Sequence, residues 1–474
     1  MTPDELPGEA ARLLAEGYRL ALVSAREYSV AYLFVAGAPD RRVELLVRLS
    51  PSRLEVPSLA EISFPAGRFE REMRDLYGIV PLDHPRPRRL VRHHHWPRGW
   101  YPMRSSGPLE AFGDPEGPFP FLQVEGPGVY EIPVGPVHAG LIEPGHFRFS
   151  VVGETVLRLK ARLWFVHKGI ERLFHGRGFA EGLPLAERVS GDTSLGHALA
   201  YCLAVEDALG LEVPADAQVL RAVLLELERL YNHVTDLGAL CNDVAHSILN
   251  AQALRVRERL LRINARVTGH RLLRGAVRVG GCSVPALPSP EELSEIAADV
   301  AEIVALALSH HVVADRFLGT AVLTAQAAHD LGALGYVARG SGLDLDARAD
   351  HPFVSLGGFE PVCLNGGDVL ARFEVRAREV EASVALIARL LGSGGRAVLS
   401  GSGSGVGVGL VEGWRGTIAH RVEVGAAGVL ERVKIVDPSF FNWPALPVAL
   451  EGAIVPDFPL VNKSFNLSYA GNDL

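Results

Sequence analysis

Pro214-Ala-Asp-Ala-Gln-Val-Leu-Arg-Ala-Val-Leu-Leu-Glu-Leu-Glu-Arg-Leu-Tyr-Asn-His-Val234 is the clearest helical pattern in the chain, and it fixes the character of everything around it. Proline stands at the helix start, where its missing N–H costs nothing, and Leu220, Leu224, Leu227, Leu230 and Val234 return every three or four residues. The pattern carries on to Ala245, and the same criterion predicts a second long helix over Gly367 to Leu391. Upstream, Gly128 to Val134, Phe147 to Val152 and Val156 to Leu163 read as antiparallel strands. Residues 128–474 are therefore expected to form a mainly helical domain with an antiparallel sheet at its front.

Residues 1–105 read as a separate small α/β domain. Pro7 to Glu16 is predicted as a short helix, Tyr28 to Val35 and Arg42 to Leu49 as strands, and Phe64 to Leu76 as an amphipathic helix. The charges within Glu70-Arg-Glu-Met-Arg-Asp75 are expected to form its solvated face. Residues 106–127, rich in Gly and Pro, read as a linker, so the class is α+β.

With 48% apolar residues in 474, the chain can bury a large core. A net charge of -8 gives no basic face with which to displace phosphate counterions, so nucleic-acid binding is not expected. Cys202, Cys241, Cys282 and Cys363 form no Cys-x-x-Cys pair and read as buried small hydrophobes. Ser393 to Gly409 has neither G-x-G-x-x-G nor G-x-x-x-x-G-K and reads as a tight turn between short strands; direct NAD or ATP binding is not expected. No signal peptide is apparent, and the apolar run Ile303 to Val313 is short and broken by Ser309, His310 and His311. Adjacent residues on an extended chain diverge, so His93, His94 and His95 are assigned to a surface or interface before a metal.

Two sets of landmarks resemble known families. Phe69-Glu-Arg-Glu-Met-Arg-Asp-Leu-Tyr-Gly-Ile79, with His84-Pro85, Arg88-Arg-Leu90 and His95-Trp-Pro97, resembles the connecting subunit of respiratory complex I. Gly135-Pro-Val-His138, Glu143-Pro-Gly-His-Phe-Arg148, Val166-His-Lys-Gly-Ile-Glu171, Leu225-Glu-Leu-Glu-Arg229 with His233, Arg348-Ala-Asp-His-Pro352, Glu412-Gly-Trp-Arg-Gly416 and Asn442-Trp-Pro-Ala-Leu446 follow in order. Together they resemble the large subunit of membrane-bound nickel–iron hydrogenases of the formate hydrogenlyase and hydrogenase-4 type, and its quinone-site relative in complex I.

In the hydrogenase relatives, two Cys-x-x-Cys pairs hold nickel and iron. At the matching places this chain has Arg188-Val-Ser-Gly-Asp-Thr193 and Ser464-Phe-Asn-Leu-Ser-Tyr-Ala-Gly471, which put Ser190, Thr193, Ser468 and Gly471 where the thiolates stand. Hydroxyls are poor nickel ligands and glycine offers none, so no directly bound cofactor or metal is expected. The chain also ends soon after Gly471, without the extension that maturation proteases remove in the relatives. What the resemblance leaves for catalysis is Glu143, Asp192, His138 and His146, as proton-handling groups. Glu143 has Arg148 or Arg188 as a possible partner, and Asp192 has His138 or Arg188. Arg188, Gly191, Asp350, His351, Arg415 and Tyr469 are expected to line or support the cavity. The quinone-bonding tyrosine and histidine of complex I fall near Gly191 and Pro144 here, leaving Tyr469 or Tyr201 to supply a phenol.

The resemblance implies a peripheral subunit on the cytoplasmic face of the inner membrane. Its implied partners are an iron–sulfur small subunit, which carries the adjacent cluster, and antiporter-like membrane subunits. Electrons would pass to a quinone or other small acceptor, coupled to proton movement. A non-catalytic scaffold of the same complex is the second expectation, and a hydrogenase with atypical ligands the third.

Overall fold

The computed structural model describes residues 1–97, 99–104, 117–139, 142–391 and 403–474. The first part of the chain folds as α1 (Leu6–Ala15), β1 (Arg19–Arg26), β2 (Ser29–Ala36), β3 (Arg41–Arg48), β4 (Glu55–Pro57), α2 (Phe64–Tyr77) and β5 (Val80–Leu82). Strands β1, β2 and β3 make an antiparallel sheet in that order, and β4 pairs with β5 in parallel. The sequence reading passed over β1, whose residues Leu20 to Ala25 are all buried, so no alternation marks it as a strand.

Helix α2 corrects the expected solvated face. Glu70, Glu72 and Asp75 are all buried. Glu70 accepts hydrogen bonds from the Ser58 hydroxyl and the Leu59 amide, and one oxygen of Asp75 accepts the amides of Leu90, Val91 and Arg92. Glu72 pairs with Lys434 at 2.7 Å, far along the chain. The charged run is thus an internal fastening, stabilised because each buried carboxylate has donors.

The rest begins with β6 (Val129–Val134), β7 (His146–Val152) and β8 (Thr155–Arg162), an antiparallel sheet close to the expected strands. Helices α3 (Ile170–Phe174), α4 (Phe179–Ala186), α5 (Ser194–Leu209), α6 (Ala215–Asp243) and α7 (Ser247–Thr268) follow, then a short ribbon of β9 (Val277–Arg278) and β10 (Gly281–Cys282). Next come α8 (Pro290–Ser309), α9 (His311–Phe317), α10 (Ala325–Leu331), α11 (Gly335–Gly340), α12 (Ala347–Asp350) and α13 (Val369–Leu390). The C-terminal part comprises β11 (Gly405–Gly413), β12 (Gly416–Val424), β13 (Leu430–Val436), α14 (Pro438–Asn442), α15 (Ala445–Ala449), α16 (Phe458–Phe465) and α17 (Tyr469–Asp473). Among the described residues no single helix is long and apolar enough to cross a membrane. Helices α8 and α9 reach that apolarity only jointly, and they bend by 84° at the His310 break.

Helices α6, α7, α8 and α13 pack as a bundle, with α6 buried along most of its length. Helix α5 lies across the antiparallel sheet β11-β12-β13. Most of the tight turn expected over Ser393 to Gly409 lies outside the described residues, but Gly405, Gly407 and Gly409 belong to strand β11. A Cβ on any of the three would collide with the α5 backbone, at Ala208, Ala204 and Ala200 respectively. Glycine at every second strand position meets the helix at every fourth residue, which lets the two backbones touch.

The front of the chain and the remainder share a core: Phe69, Phe440, Trp164 and Val461 belong to one apolar cluster. Polar clasps reinforce it, Arg421 to Glu44 at 2.7 Å and Arg26 to Glu423 at 2.5 Å. Cys202, Cys241 and Cys282 are buried free thiols and Cys363 is half-buried.

Candidate functional site

Three chain segments converge. The α4–α5 loop carries Ser190 to Thr193, the two-residue turn between β11 and β12 carries Trp414 and Arg415, and the N-cap of α17 is Ser468. Gly471 N–H donates to the Ser468 hydroxyl (2.9 Å), and the Ser468 and Ser190 hydroxyls lie 2.8 Å apart. Ser190 and Thr193 each donate to the same Asp192 oxygen at 3.0 Å. With Ser190 donating to Asp192, the remaining proton between the serines is that of Ser468, so the chain runs one way, from Gly471 through Ser468 and Ser190 to Asp192. Such a run polarises its members in the same sense.

Arg415 closes the chain, gripping Asp192 with two bonds of 2.7 Å. This corrects the expected partnering. Arg188 is exposed and donates to the Pro184 carbonyl, and His138 is engaged elsewhere. Desolvation pushes the Asp192 carboxyl upward, but the charge and paired bonds of Arg415 overcome it and hold the group at about 2. Its side chain keeps 41% exposure while Arg415 keeps 4%, so the pair stands at a wall with one open side. Gly191 lies on that open side; a Cβ added there meets nothing within 4 Å.

The fourth position is filled from behind. A Cβ on Gly471 would lie 2.5 Å from Cγ of Asp437, the N-cap of α14. Asp437 accepts from Ser439 N–H (2.7 Å) and sits 3.0 Å from Nε2 of His197, whose Nδ1 lies 3.1 Å from Nε2 of His420. Beneath the loop, the buried Glu228 accepts the Leu195 and Gly196 amides at the start of α5, and burial pushes its carboxyl up to about 8. Sequence reasoning missed Asp437, His197 and Trp414 as site residues. Asp437 had a local signal, an Asp-Pro helix start; Trp414 donates to Thr193 at 3.1 Å, which only the fold brings about.

Glu143, in the β6–β7 loop, accepts the Ala470 amide at 3.0 Å. His138 and His146 fasten that loop, each ring within 3.1 Å of a glycine carbonyl, Gly145 and Gly135 respectively. Gly145 lies so close to the Tyr469 ring that a Cβ there would come within 2.6 Å. The Tyr469 hydroxyl is buried and has Asn462 nearby without a partner at hydrogen-bonding geometry; burial and the charge of Glu143 raise it to about 12. Tyr201 donates its hydroxyl to the Phe179 carbonyl and so has no phenol to spare. Asp350 and His351 also fall away from the site. Asp350 abuts Gly37 and His351 meets Asp40 at 2.8 Å, so the pair secures the β2–β3 turn.

A nickel–iron centre needs soft, ionised ligands at four converging positions. Here the donors are hydroxyls whose protons are already committed, and the fourth position is walled by a carboxylate. The residues do not fit that group.

These features define the class: a large subunit of the kind shared by complex I and its hydrogenase relatives. Three family descriptions match in sequence, "Respiratory-chain NADH dehydrogenase, 30 Kd subunit" over residues 9–113, "Nickel-dependent hydrogenase" over 168–242 and "Respiratory-chain NADH dehydrogenase, 49 Kd subunit" over 243–395. The chain is 32% identical to formate hydrogenlyase subunit 5 of Escherichia coli (strain K12) over 456 residues, 91% of this chain and 79% of that one. It is likewise 32% identical to hydrogenase-4 component G of the same organism, across 94% and 81% of the two chains. It belongs to this family of complex I-related hydrogenase large subunits. A solved structure, "Structure of the membrane-bound sulfane sulfur reductase (MBS), an archaeal respiratory membrane complex", shares the fold at a TM-score of 0.66 and 24% identity, covering 73% of this chain and 99% of that one.

Proposed function

We propose that this chain is a peripheral large subunit, on the cytoplasmic face of a membrane oxidoreductase complex, that passes electrons from an iron–sulfur partner to a quinone-like acceptor without a nickel–iron centre. The observation that carries this reading is the buried Tyr469 hydroxyl, near Asn462 and Glu143 but without a partner at hydrogen-bonding geometry, one residue from Ser468 in the proposed former ligand set. A buried hydroxyl without a partner costs about 1–3 kcal/mol, a cost that an acceptor oxygen hydrogen-bonded there would relieve. A quinone takes up two electrons and two protons on reduction. Glu143 is placed to hand over a proton, whereas Asp192, locked ionised by Arg415, serves to fix the loop. His138 and His146 position the Glu143 loop. Antiporter-like membrane subunits are the expected recipients of the coupled proton movement.

The test begins with nickel per copy of this chain in the anaerobically purified complex; stoichiometric nickel ends the proposal. Glu143→Gln is expected to abolish coupled quinone reduction while the complex still assembles. Gly191→Phe adds its Cβ into open space and is expected to block the acceptor with its ring. Full activity in that variant favours the scaffold reading.

A further inference from the structure

A small cavity lies beside the C-terminal helix α17. It is bordered by Glu72, Leu76, Met103, Trp164, Glu171 and Asp473, between α2, the segment after β8 and the C-terminal helix α17. It offers about 40 Å³ to water, room for roughly two or three molecules at ~10–15 Å³ each. A larger cleft of about 640 Å³ lies outside it, rimmed by the exposed Arg48, Arg172 and His175. The two spaces share Met103, Glu171 and Arg172 as walls.

Asp473 is the member of the cavity wall that bears on the site. Asp473 is buried, accepting the Val166 amide at 3.0 Å and the Asn472 side-chain amide at 2.8 Å. It lies four residues after Tyr469 on α17, hence on the same face, and the charges of Asp473 and Glu143 both bear on the Tyr469 hydroxyl. Glu171, at the junction of the two spaces, lies 2.7 Å from Arg432 and 3.2 Å from Lys434, and Lys434 reaches Glu72 at 2.7 Å. Around Asp473 the charged neighbours are Arg68, Arg162 and Lys168, with the His167 ring bonded to its carbonyl at 2.7 Å. Among the described residues none of these cations reaches ion-pair distance of the Asp473 carboxyl, and its burial favours the protonated form.

We propose that Asp473 and Glu72, bridged by water in this cavity, form the route by which protons pass from the outer cleft, past the ion-paired Glu171, to the Tyr469 and Glu143 end of the site. The proposal rests on the acceptor reading above. For each quinone, two electrons arrive from the iron–sulfur partner and two protons arrive by this route. Asp473 releases a proton inward and is reprotonated through the cavity water from the side of Glu72.

The test uses the intact membrane complex, reduced by methyl viologen and reoxidised by decylubiquinone, with proton uptake followed by pyranine absorbance. Asp473→Asn is expected to slow uptake and quinone reduction at least tenfold while the iron–sulfur signals of the complex still appear on reduction. Millimolar acetate, a diffusible weak acid, should restore a large part of the rate. Leu76→Trp, which fills the cavity and keeps every carboxylate, should produce the same loss. A normal rate in Asp473→Asn, or a loss that acetate leaves untouched, overturns the route. If the wild-type complex shows quinone reduction without linked proton uptake, or none at all, the acceptor reading falls and the route with it.

Discussion

Two polar regions of this protein sit side by side and are built on opposite terms. One is the open-sided chain of Gly471, Ser468, Ser190, Asp192 and Arg415. The other lies behind Trp414 and is a closed cluster of Arg229, Arg339 and Arg348 with Glu226, Asp346, Glu379 and Glu412, joined by His233. In the cluster every charge has a charged neighbour and all are buried; Arg339 alone meets Asp346, Glu379 and Glu412 within 3.2 Å. In the hydroxyl chain the groups are mostly neutral, and Gly191 and part of Asp192 face open space. The contrast teaches that the cluster holds the framework while the hydroxyl chain can change without unfolding it. The proposed function, with its replaced ligand set on a retained scaffold, requires that asymmetry.

The contrast breaks first, if it is wrong, at Arg339. Arg339→Leu removes the cation shared by three buried carboxylates, leaving Asp346 and Glu379 with Arg348 alone among the arginines and Glu412 with no ion-pair partner, and is expected to cost about 3–5 kcal/mol, read as a drop in the denaturation midpoint. A loss under 1 kcal/mol would mean that the cluster is no framework at all. Glu228 gives the next largest effect and a pH signature. Its folded carboxyl titrates near 8, whereas an unfolded one titrates near 4.3, so between those values the folded chain holds the extra proton. Stability therefore falls as pH rises across that window, by at most ~1.4 kcal/mol per unit, and levels off above it. Glu228→Gln should flatten that slope; an unchanged slope would assign it to other groups. Gly471→Cys restores one thiol to the ligand set but drives its Cβ into Asp437, for an expected cost of about 1–3 kcal/mol and no gain of nickel.

What could be read from the sequence follows the same division. Helices α6 and α13 were legible because their apolar spacing is local, and Ser309, His310 and His311 were legible as an interruption of an apolar run, though not as the bend between two helices. Ser190, Thr193, Ser468 and Gly471 were legible because the surrounding motifs frame them, and the fold indeed brings three of their side chains into one network. The partners were not legible. Asp192 looked toward His138 or Arg188, but its cation is Arg415, 223 residues away. Glu72 looked solvated, yet its lysine lies 362 residues on. Charge pairing over such separations leaves no periodicity, so a buried charged face and a solvated one read alike until the chain folds. Glycines 405, 407 and 409 misled for a related reason, since a close approach of two backbones looks in sequence like a turn.

The smallest predicted effect is the most direct test of the hydroxyl chain. Ser190→Ala removes one donor to Asp192, which keeps Arg415 and Thr193, and leaves Ser468 to turn its proton elsewhere. The expected loss is about 0.5–1.5 kcal/mol. Ser468→Ala should cost somewhat more, because it also removes the N-cap that accepts the Gly471 amide, worth about 1 kcal/mol. The double variant should lose less than the sum of the two, since both single changes break the same 2.8 Å contact. Chemical denaturation of the four proteins closes the cycle. A single-variant loss of 3 kcal/mol or more would place the hydroxyls under the same constraint as Arg339, and the proposed independence of site and framework would be gone. Losses near 1 kcal/mol with measurable coupling would instead show a network that is ordered but replaceable, as the proposed exchange of ligands requires.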